Sequence, residues 1–236
     1  MIDIKSYYFE FIYRLRKKYW NLSTLFSNIK GMVLMYHQIS DKQSNVLDSC
    51  QHTVEEFKSS IFSVIKEGYE IVSIDEALNI ISKHDSRKFA VVTFDDVPIS
   101  AYEIAFPLLK QYNIPFTFFI TTDYIGKNGY LSESQILELD RCHLCTIGSH
   151  TISHPMLRNV NNSFEELVGS KSYLEKLLGH EVRYLAYPYG RPSSVSSKVI
   201  KSAKQAGYKC AFGTIDSLLS GCSARNIYYL PRIVRH

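Results

Sequence analysis

The chain has 236 residues, of which 45% are hydrophobic and 21% are charged. That is enough apolar material for one sizeable core, and it is not the composition of a disordered chain. The formal net charge is +4, and the positive residues are scattered without any recognised nucleic-acid-binding motif. The sequence therefore favours one large globular domain and argues against a nucleic-acid partner.

The cysteines give a second constraint. They are Cys50, Cys142, Cys145, Cys210 and Cys222. An odd number of cysteines argues against a complete disulfide framework, and the single CxxC pair has no second pair with which to form a zinc ribbon. We expect partly buried free thiols in a reducing compartment. No stretch approaches the roughly 20 apolar residues of a membrane span, and residues 1–30 lack a signal-peptide pattern, which favours a cytoplasmic protein.

The segment from Tyr7 to Trp20 is predicted to be an amphipathic helix. Its apolar residues recur at helical spacing and are Tyr8, Phe11, Ile12, Leu15 and Tyr19. Its basic residues are Arg14, Arg16, Lys17 and Lys18. Such a helix could dock on its own domain or on a partner, or lie on an anionic membrane surface at the inner face of the membrane. We assign it to an N-terminal extension over residues 1–30, followed by a domain over residues 31–236.

Strands and helices are predicted to alternate along the rest of the chain. The predicted strands cover residues 32–36, 70–72, 89–94, 116–120, 144–148, 183–187, 208–212 and 227–230, with helices in most of the intervals. Thr53 with Glu56, and Ser132 with Gln135, form capping boxes that start two of these helices. Pro107 predicts a kink or a late start in another, because proline cannot make the helical hydrogen bond.

This alternation predicts an α/β fold with a parallel sheet, either an open doubly wound sheet or a distorted (β/α) barrel with about seven or eight strands. Polar residues fall just past predicted strand ends. They are His37, the Asp95/Asp96 pair, His150 and Tyr189. A barrel would gather all of them on one rim, whereas an open sheet would spread them along an edge.

Two pairs of side chains indicate metal chemistry. Asp95 and Asp96 are adjacent carboxylates at a strand end, where a cation would offset their repulsion. His150 and His154 are four residues apart, so both imidazoles can reach one ion with either aspartate as oxygen ligand. The other aspartate could then act as general base in metal-assisted hydrolysis. A loop cap for the acidic pair and the ligand set of a non-haem iron oxygenase are the alternatives.

Three short segments carry a family resemblance. They are Thr93-Phe94-Asp95-Asp96, His150-Thr151-Ile152-Ser153-His154 and Tyr187-Pro188-Tyr189-Gly190. These segments are similar to three motifs of the polysaccharide deacetylases, a carbohydrate esterase family whose domain is a distorted (β/α) barrel. Weaker similarity extends the match over residues 32–234.

The resemblance implies a role for each motif. Asp95 would be the base, and Asp96 would bind a divalent metal, expected to be zinc, together with His150 and His154. The Tyr189 backbone amide would help to hold the oxyanion.

The sequence also departs from the family pattern. Val97 stands where the family usually has glycine, so this turn must accept a β-branched residue. Ala186 stands where many members have an arginine that supports the base, which leaves Arg232 or Arg191 as substitutes. The late motif with a general-acid histidine is not evident. His37 is the candidate for that role, and His236 is a second one.

The resemblance predicts a metal-dependent hydrolase that removes N-acetyl groups from an amino sugar or glycan, with a role in surface-glycan biosynthesis. Two alternatives remain open. The same site could hydrolyse another carbon–nitrogen bond, such as that of a cyclic amide or formamide, because specificity depends on loops. The departures at Val97 and Ala186 are also compatible with a non-catalytic sugar-binding barrel.

Overall fold

The computed structural model describes residues 4–40 and 51–234. Within these ranges the α-helices are α1 (Ile4–Leu25), α2 (Val54–Lys66), α3 (Ile74–Ser82), α4 (Phe106–Gln111), α5 (Glu133–Asp140), α6 (Ser163–Leu178) and α7 (Ser197–Gln205). The strands are β1 (Lys30–Tyr36), β2 (Ile39–Ser40), β3 (His52–Thr53), β4 (Glu70–Ile71), β5 (Lys88–Asp95), β6 (Phe116–Ile120), β7 (Cys145–Ser149), β8 (Tyr184–Ala186) and β9 (Cys210–Phe212). Cys50 and His236 lie outside the described residues.

Seven of these strands form one curled, parallel sheet. Its order is β1-β5-β6-β7-β8-β9, with β4 pairing beside the first half of β5. Helices cover the sheet, and the order of elements follows the predicted alternation. The prediction of an α/β fold of the distorted-barrel type is confirmed. A separate two-stranded sheet is formed by β2 and β3, which were too short to predict.

The central strand β5 shows why the sheet is buried on both sides. Its residues alternate between two apolar clusters, with Val91 in one and Val92 in the other. Because successive strand residues point to opposite faces, an unbroken apolar run suits a strand that is covered on both. The run ends at Asp95, and the chain then turns out of the sheet at the rim.

The ring is completed by a segment that lacks a regular strand. Single bridges join Phe212 to Leu230 and Leu34 to Ile233, so residues 230–233 connect β9 to β1. The predicted strand over residues 227–230 is therefore wrong in position and regularity. Pro231 lies inside the segment and has no amide hydrogen, which interrupts a continuous ladder.

Local helix signals agree with the structure. Glu56 N donates to Thr53 Oγ1 over 3.1 Å, and Thr53 N donates to the Glu56 carboxylate over 2.8 Å, which completes the predicted capping box. The predicted box at residues 132 and 135 is also present. A π-helical turn, Ala101–Ala105, precedes α4, and Pro107 lies in the first turn of that helix, as its missing hydrogen bond requires.

The N-terminal helix docks on the domain through the face opposite to the predicted apolar one. Trp20 is 3% exposed, and Ser23 Oγ lies 2.6 Å from Ser220 Oγ. The predicted apolar face is exposed instead, apart from the half-buried Ile12. No helix within the described residues is both long and apolar enough to cross a membrane.

Candidate active site

The polar residues from the strand ends line one cleft. Its volume is about 640 Å³, and the predicted site residues that line it are His37, Asp95, Asp96, His150, His154, Tyr189 and Arg232. They come from the ends of β1, β5 and β7, from the loop after β8 and from the closing segment. In a curled parallel sheet these carboxyl ends meet at one rim, which is why residues far apart in sequence become neighbours.

A buried ion pair lies at the base of the cleft. Arg232 donates to both carboxylate oxygens of Asp95, over 2.7 and 2.5 Å, and these residues are 1% and 2% exposed. Burial alone would raise the pKa of the Asp95 carboxyl, but Arg232 and then His150 outweigh it and hold that pKa well below its usual range. Asp95 is therefore ionised at neutral pH.

Ala186 stands where many members of the family have an arginine, and the structure shows which other arginine pairs with Asp95. Arg191, the other candidate to support the base, lies 4.8 Å from the ring of Tyr13 and 3.8 Å from the Glu10 carboxylate. Its side chain is 57% exposed, and Asp95 is not among its partners. The arginine that pairs with Asp95 thus comes from the closing segment rather than from the end of β8.

Three donor atoms converge beside this pair. Asp96 Oδ1 lies 3.6 Å from His154 Nε2 and 3.9 Å from His150 Nε2, and the three ligand atoms all lie within 4.8 Å of one another. Donor atoms around a tetrahedral ion at about 2.0–2.1 Å would be separated by roughly 3.4 Å. The oxygen and imidazole donors, with this spacing, fit a divalent transition metal. This is a candidate metal site.

Neighbouring groups orient the donors. His150 Nδ1 lies 2.8 Å from the Ala186 carbonyl oxygen, which selects the tautomer with hydrogen on Nδ1 and leaves the Nε2 lone pair facing Asp96. Burial lowers the pKa of His150, which favours the neutral form that ligates metals. Thr121 Oγ1 donates to Asp96 Oδ1 over 3.2 Å. The histidine and the aspartate are therefore held in ligand geometry by the protein itself.

The loop that carries both histidines is held by a residue that sequence reasoning missed. The Glu166 carboxylate on α6 accepts hydrogen bonds from Ile152 N over 3.1 Å and from Ser153 N over 3.0 Å. It also accepts one from Ser153 Oγ over 2.8 Å. Glu166 lies in the first turn of α6, as acidic residues often do, so its sequence position indicates only helix capping.

The turn after β5 has an unusual backbone. Asp96 and Val97 have φ values of +57° and +48°, and Val97 N donates to the Asp95 carbonyl oxygen over 2.6 Å. Aspartate tolerates the left-handed region, but a β-branched residue does so at a cost of about 1–3 kcal/mol. Val97 is 1% exposed and packs in an apolar cluster. The burial of its side chain therefore offsets the cost of a positive φ at a position where the family usually has glycine.

Tyr189 and His37 are two further polar residues that line the cleft. Tyr189 has a φ of +61°, and no backbone carbonyl within residues 4–40 and 51–234 accepts a hydrogen bond from its amide. That amide is available to a ligand. Burial lowers the pKa of His37 more than the Asp95 and Asp96 carboxylates raise it. Because the lowered pKa favours the neutral imidazole, His37 would need to gain a proton before acting as an acid. Its Nδ1 has no hydrogen-bond partner in the described part of the chain.

The N-terminal helix also contributes to the cleft wall. Tyr13 lines the cleft, and its hydroxyl accepts a hydrogen bond from Asp216 N over 3.4 Å. Lys17 Nζ lies 2.5 Å from Asp216 Oδ2, which joins the helix to the rim. Periodicity predicts a helix here but not which residues meet a rim about 200 positions away in sequence.

A curled parallel sheet with an Asp/His/His donor set and a buried carboxylate at its rim defines a barrel protein with a candidate metal site. The family model for polysaccharide deacetylase matches residues 82–211, more than half of the chain. The chain therefore belongs to the polysaccharide deacetylase family, and the resemblance predicted from the three motifs is confirmed.

Similarity to individual proteins extends further along the chain. YxkH of Bacillus subtilis is 29% identical over 186 residues, covering 77% of this chain and 63% of YxkH, so this chain spans less than two thirds of that relative. The poly-beta-1,6-N-acetyl-D-glucosamine N-deacetylase of Staphylococcus epidermidis is 29% identical over 231 residues, covering 86% of this chain and 78% of the relative.

Among solved structures, the deacetylase PplD of Streptococcus pyogenes, determined in complex with acetate, superposes with a TM-score of 0.76 at 27% identity. The match covers 87% of this chain and 92% of PplD. The two proteins therefore share this fold over most of both chains.

Proposed function

We propose that this protein hydrolyses the acetamide group of an N-acetylated amino sugar within a glycan, in a metal-dependent reaction. The observation that carries the proposal is the Asp96, His150 and His154 donor set next to the buried Asp95–Arg232 pair. Membership of the family and the names of its relatives, one of which is an N-deacetylase of an N-acetylglucosamine polymer, support the choice of substrate. A role in surface-glycan biosynthesis follows as part of the same proposal.

Each residue of the site has a defined task in this reaction. Asp96, His150 and His154 would hold a divalent ion, which we propose to be zinc and which would supply the positive charge needed to activate water and to polarise the acetamide carbonyl. Asp95 accepts the proton of the water as its oxygen attacks the carbonyl carbon. The Tyr189 amide donates to the oxygen that gains negative charge. His37, once protonated, gives a proton to the leaving nitrogen, and the products are acetate and the free amine.

The test measures acetate release from N-acetylglucosamine oligomers, with and without a chelator. We expect chelation to stop release and zinc to restore it. Asp95→Asn should keep the metal and lower turnover by about 10²–10⁴, because it removes the general base. Asp96→Ala should lose the metal as well. The two variants form a matched pair, since both remove one carboxylate of the same turn, and an active Asp95→Asn enzyme would contradict the assignment of the base.

A broader substrate panel separates the remaining alternatives. Metal content without acetate release from oligomers, nucleotide sugars or lipid-linked sugars contradicts the proposal. Release of a carboxylate from a cyclic amide or formamide would then indicate hydrolysis of another carbon–nitrogen bond. Saturable glycan binding without any release would indicate a non-catalytic sugar-binding protein.

A further inference from the structure

Helix α1 packs against the protein mainly through one of its two faces. On the inner face, Trp20 is 3% exposed, Tyr13 lines the cleft, and Lys17 pairs with Asp216. These contacts fix the orientation of the helix on the domain. The opposite face is consequently held outward, whatever occupies it.

The outward face carries a row of large apolar and aromatic side chains, which we call the outer stripe. It consists of Tyr8, Phe11, Leu15, Tyr19 and Leu22, which are 58%, 58%, 48%, 49% and 52% exposed, and it continues at Phe26, which is 85% exposed and follows the end of the helix at Leu25. Tyr19 lies at the edge of the stripe, where its hydroxyl also interacts with Cys222 and Asn226. Spacings of three and four residues place these side chains on one side of a helix. Single exposed apolar residues are ordinary, but a row of five along one helix, extended by a sixth just after it, marks an interaction surface.

Charge distinguishes between possible occupants of this surface. Helix α1 contains five basic residues and a single acidic one, Glu10. Two of the basic residues belong to the inner face, because Lys17 pairs with Asp216 and Arg16 lies 4.8 Å from the centre of the Tyr229 ring. Arg14 and Lys18 are exposed beside the stripe. Glu10 already accepts a hydrogen bond from Arg14 over 3.0 Å. Two copies of the helix packed stripe to stripe would therefore bring like charges together, whereas an anionic surface would attract them.

We propose that the outer stripe docks this protein on the surface of an anionic lipid bilayer. The apolar side chains would enter the boundary between headgroups and acyl chains, where tyrosine is favoured because its ring is apolar and its hydroxyl polar. The flanking basic side chains would contact lipid phosphates. The helix would lie along the surface, with its inner face still packed on the domain.

This docking has a consequence for the cleft. Tyr13 faces the cleft from the side of α1 opposite to the stripe, and a helix with its side chains is about 10–12 Å across. The cleft wall would therefore stand about one helix diameter from the bilayer. If the proposed deacetylation holds, the substrate is a glycan presented close to a membrane surface. The docking itself does not depend on that activity.

Co-sedimentation of the full chain with lipid vesicles tests the proposal. The vesicles contain phosphatidylcholine alone or phosphatidylcholine with phosphatidylglycerol. We expect binding to the anionic vesicles that weakens as salt is added, and weaker binding to neutral ones. Replacing Phe11, Leu15 and Leu22 by serine should lower the affinity by about tenfold or more. Arg14→Glu with Lys18→Glu should lower it by a similar factor on anionic vesicles only.

A matched control removes exposed apolar surface elsewhere. Phe62 and Ile65 on α2 are 41% and 44% exposed, and replacing both by serine should leave vesicle binding unchanged. Circular dichroism checks that every variant is folded. Equal vesicle binding by the stripe variant and the wild type would overturn the proposal, as would absence of wild-type binding to anionic vesicles.

Two further measurements distinguish membrane docking from self-association and from the proposed deacetylase activity. Light scattering reports the oligomeric state. If the wild type is a dimer that does not bind vesicles, and the stripe variant is a monomer, the stripe is an interface with a second copy and membrane docking is overturned. Asp96→Ala should bind vesicles like the wild type. Vesicle binding by a protein that hydrolyses no acetylated sugar would thus refute the proposed function and leave the docking intact.

Discussion

Arg232→Met should strongly destabilise the protein, because it leaves the Asp95 carboxylate buried without its partner. Arg232 and Asp95 are joined by two charge-assisted hydrogen bonds of 2.7 and 2.5 Å, and both are almost fully buried. Removing one member of such a pair costs about 3–5 kcal/mol. The double variant Asp95→Asn/Arg232→Met removes both charges. It should therefore be about 2 kcal/mol more stable than the sum of the single effects predicts.

The size of the loss should depend on pH. In the wild type the pKa of Asp95 lies below its unfolded value of about 3.9, so the pair contributes stability above that pH and loses it as the pH falls further. Without Arg232, burial would raise the folded pKa of Asp95 above the unfolded value. The variant would then gain stability relative to the wild type in acid. The difference in free energy of unfolding should thus be largest near neutral pH and smaller near pH 4.

Urea unfolding followed by circular dichroism measures these free energies. The experiment is run in a chelator, so that metal occupancy does not contribute. A loss below about 1 kcal/mol at neutral pH would refute the assignment of a strong buried pair, since that is the range of exposed pairs. A loss that stays constant between neutral pH and pH 4 would refute the linkage to Asp95.

Three further predictions concern the rest of the site. Glu166→Ala should weaken zinc binding about 10–100-fold in a chelator competition assay. Glu166→Gln retains an acceptor oxygen for the loop amides and should lose less affinity. Equal losses in the two variants would contradict the role of Glu166 in holding the histidine loop. His37→Asn should lower kcat by about 10²–10⁴ in steady-state assays at unchanged KM and metal content, and an unaffected kcat excludes His37 as the acid. Zinc at 100 times its Kd should stabilise the metal-free wild type by about 2.7 kcal/mol in thermal unfolding, with no such gain for Asp96→Ala.

The fold could be predicted largely from local chemistry. The apolar run of β5 and the capping boxes at Thr53 and Ser132 depend on residues within a few positions of one another. The closing segment could not be placed, because its bridges to β1 and β9 join residues far apart in sequence, around Pro231. The domain boundary at residue 30 and the cytoplasmic location stay predictions.

The candidate site, like the fold, was predictable where it depends on local sequence and not where it depends on distant contacts. The motifs with Asp95, Asp96, His150 and His154 are contiguous, so their spacing indicated the chemistry. The choice between Arg232 and Arg191 stayed open, because it is decided by a contact across 137 residues. Glu166, Thr121 and Tyr13 were missed because nothing in their sequence neighbourhood distinguishes them from ordinary helix, strand-end or core residues.

Backbone conformation explains why these missed residues matter. Among the described residues, seven other than glycine have positive φ, and five of them belong to the site: Asp96, Val97, Thr151, His154 and Tyr189. Such a position costs up to about 1–3 kcal/mol, least for aspartate and most for the β-branched residues, and persists only where its surroundings hold it. Here the holding contacts are Thr121 to Asp96, Glu166 to the histidine loop, and Thr214 Oγ1 to the Tyr189 carbonyl over 2.8 Å. The candidate metal ligands and the Tyr189 amide are thus aimed by strained turns, and neighbouring elements of the barrel offset the strain.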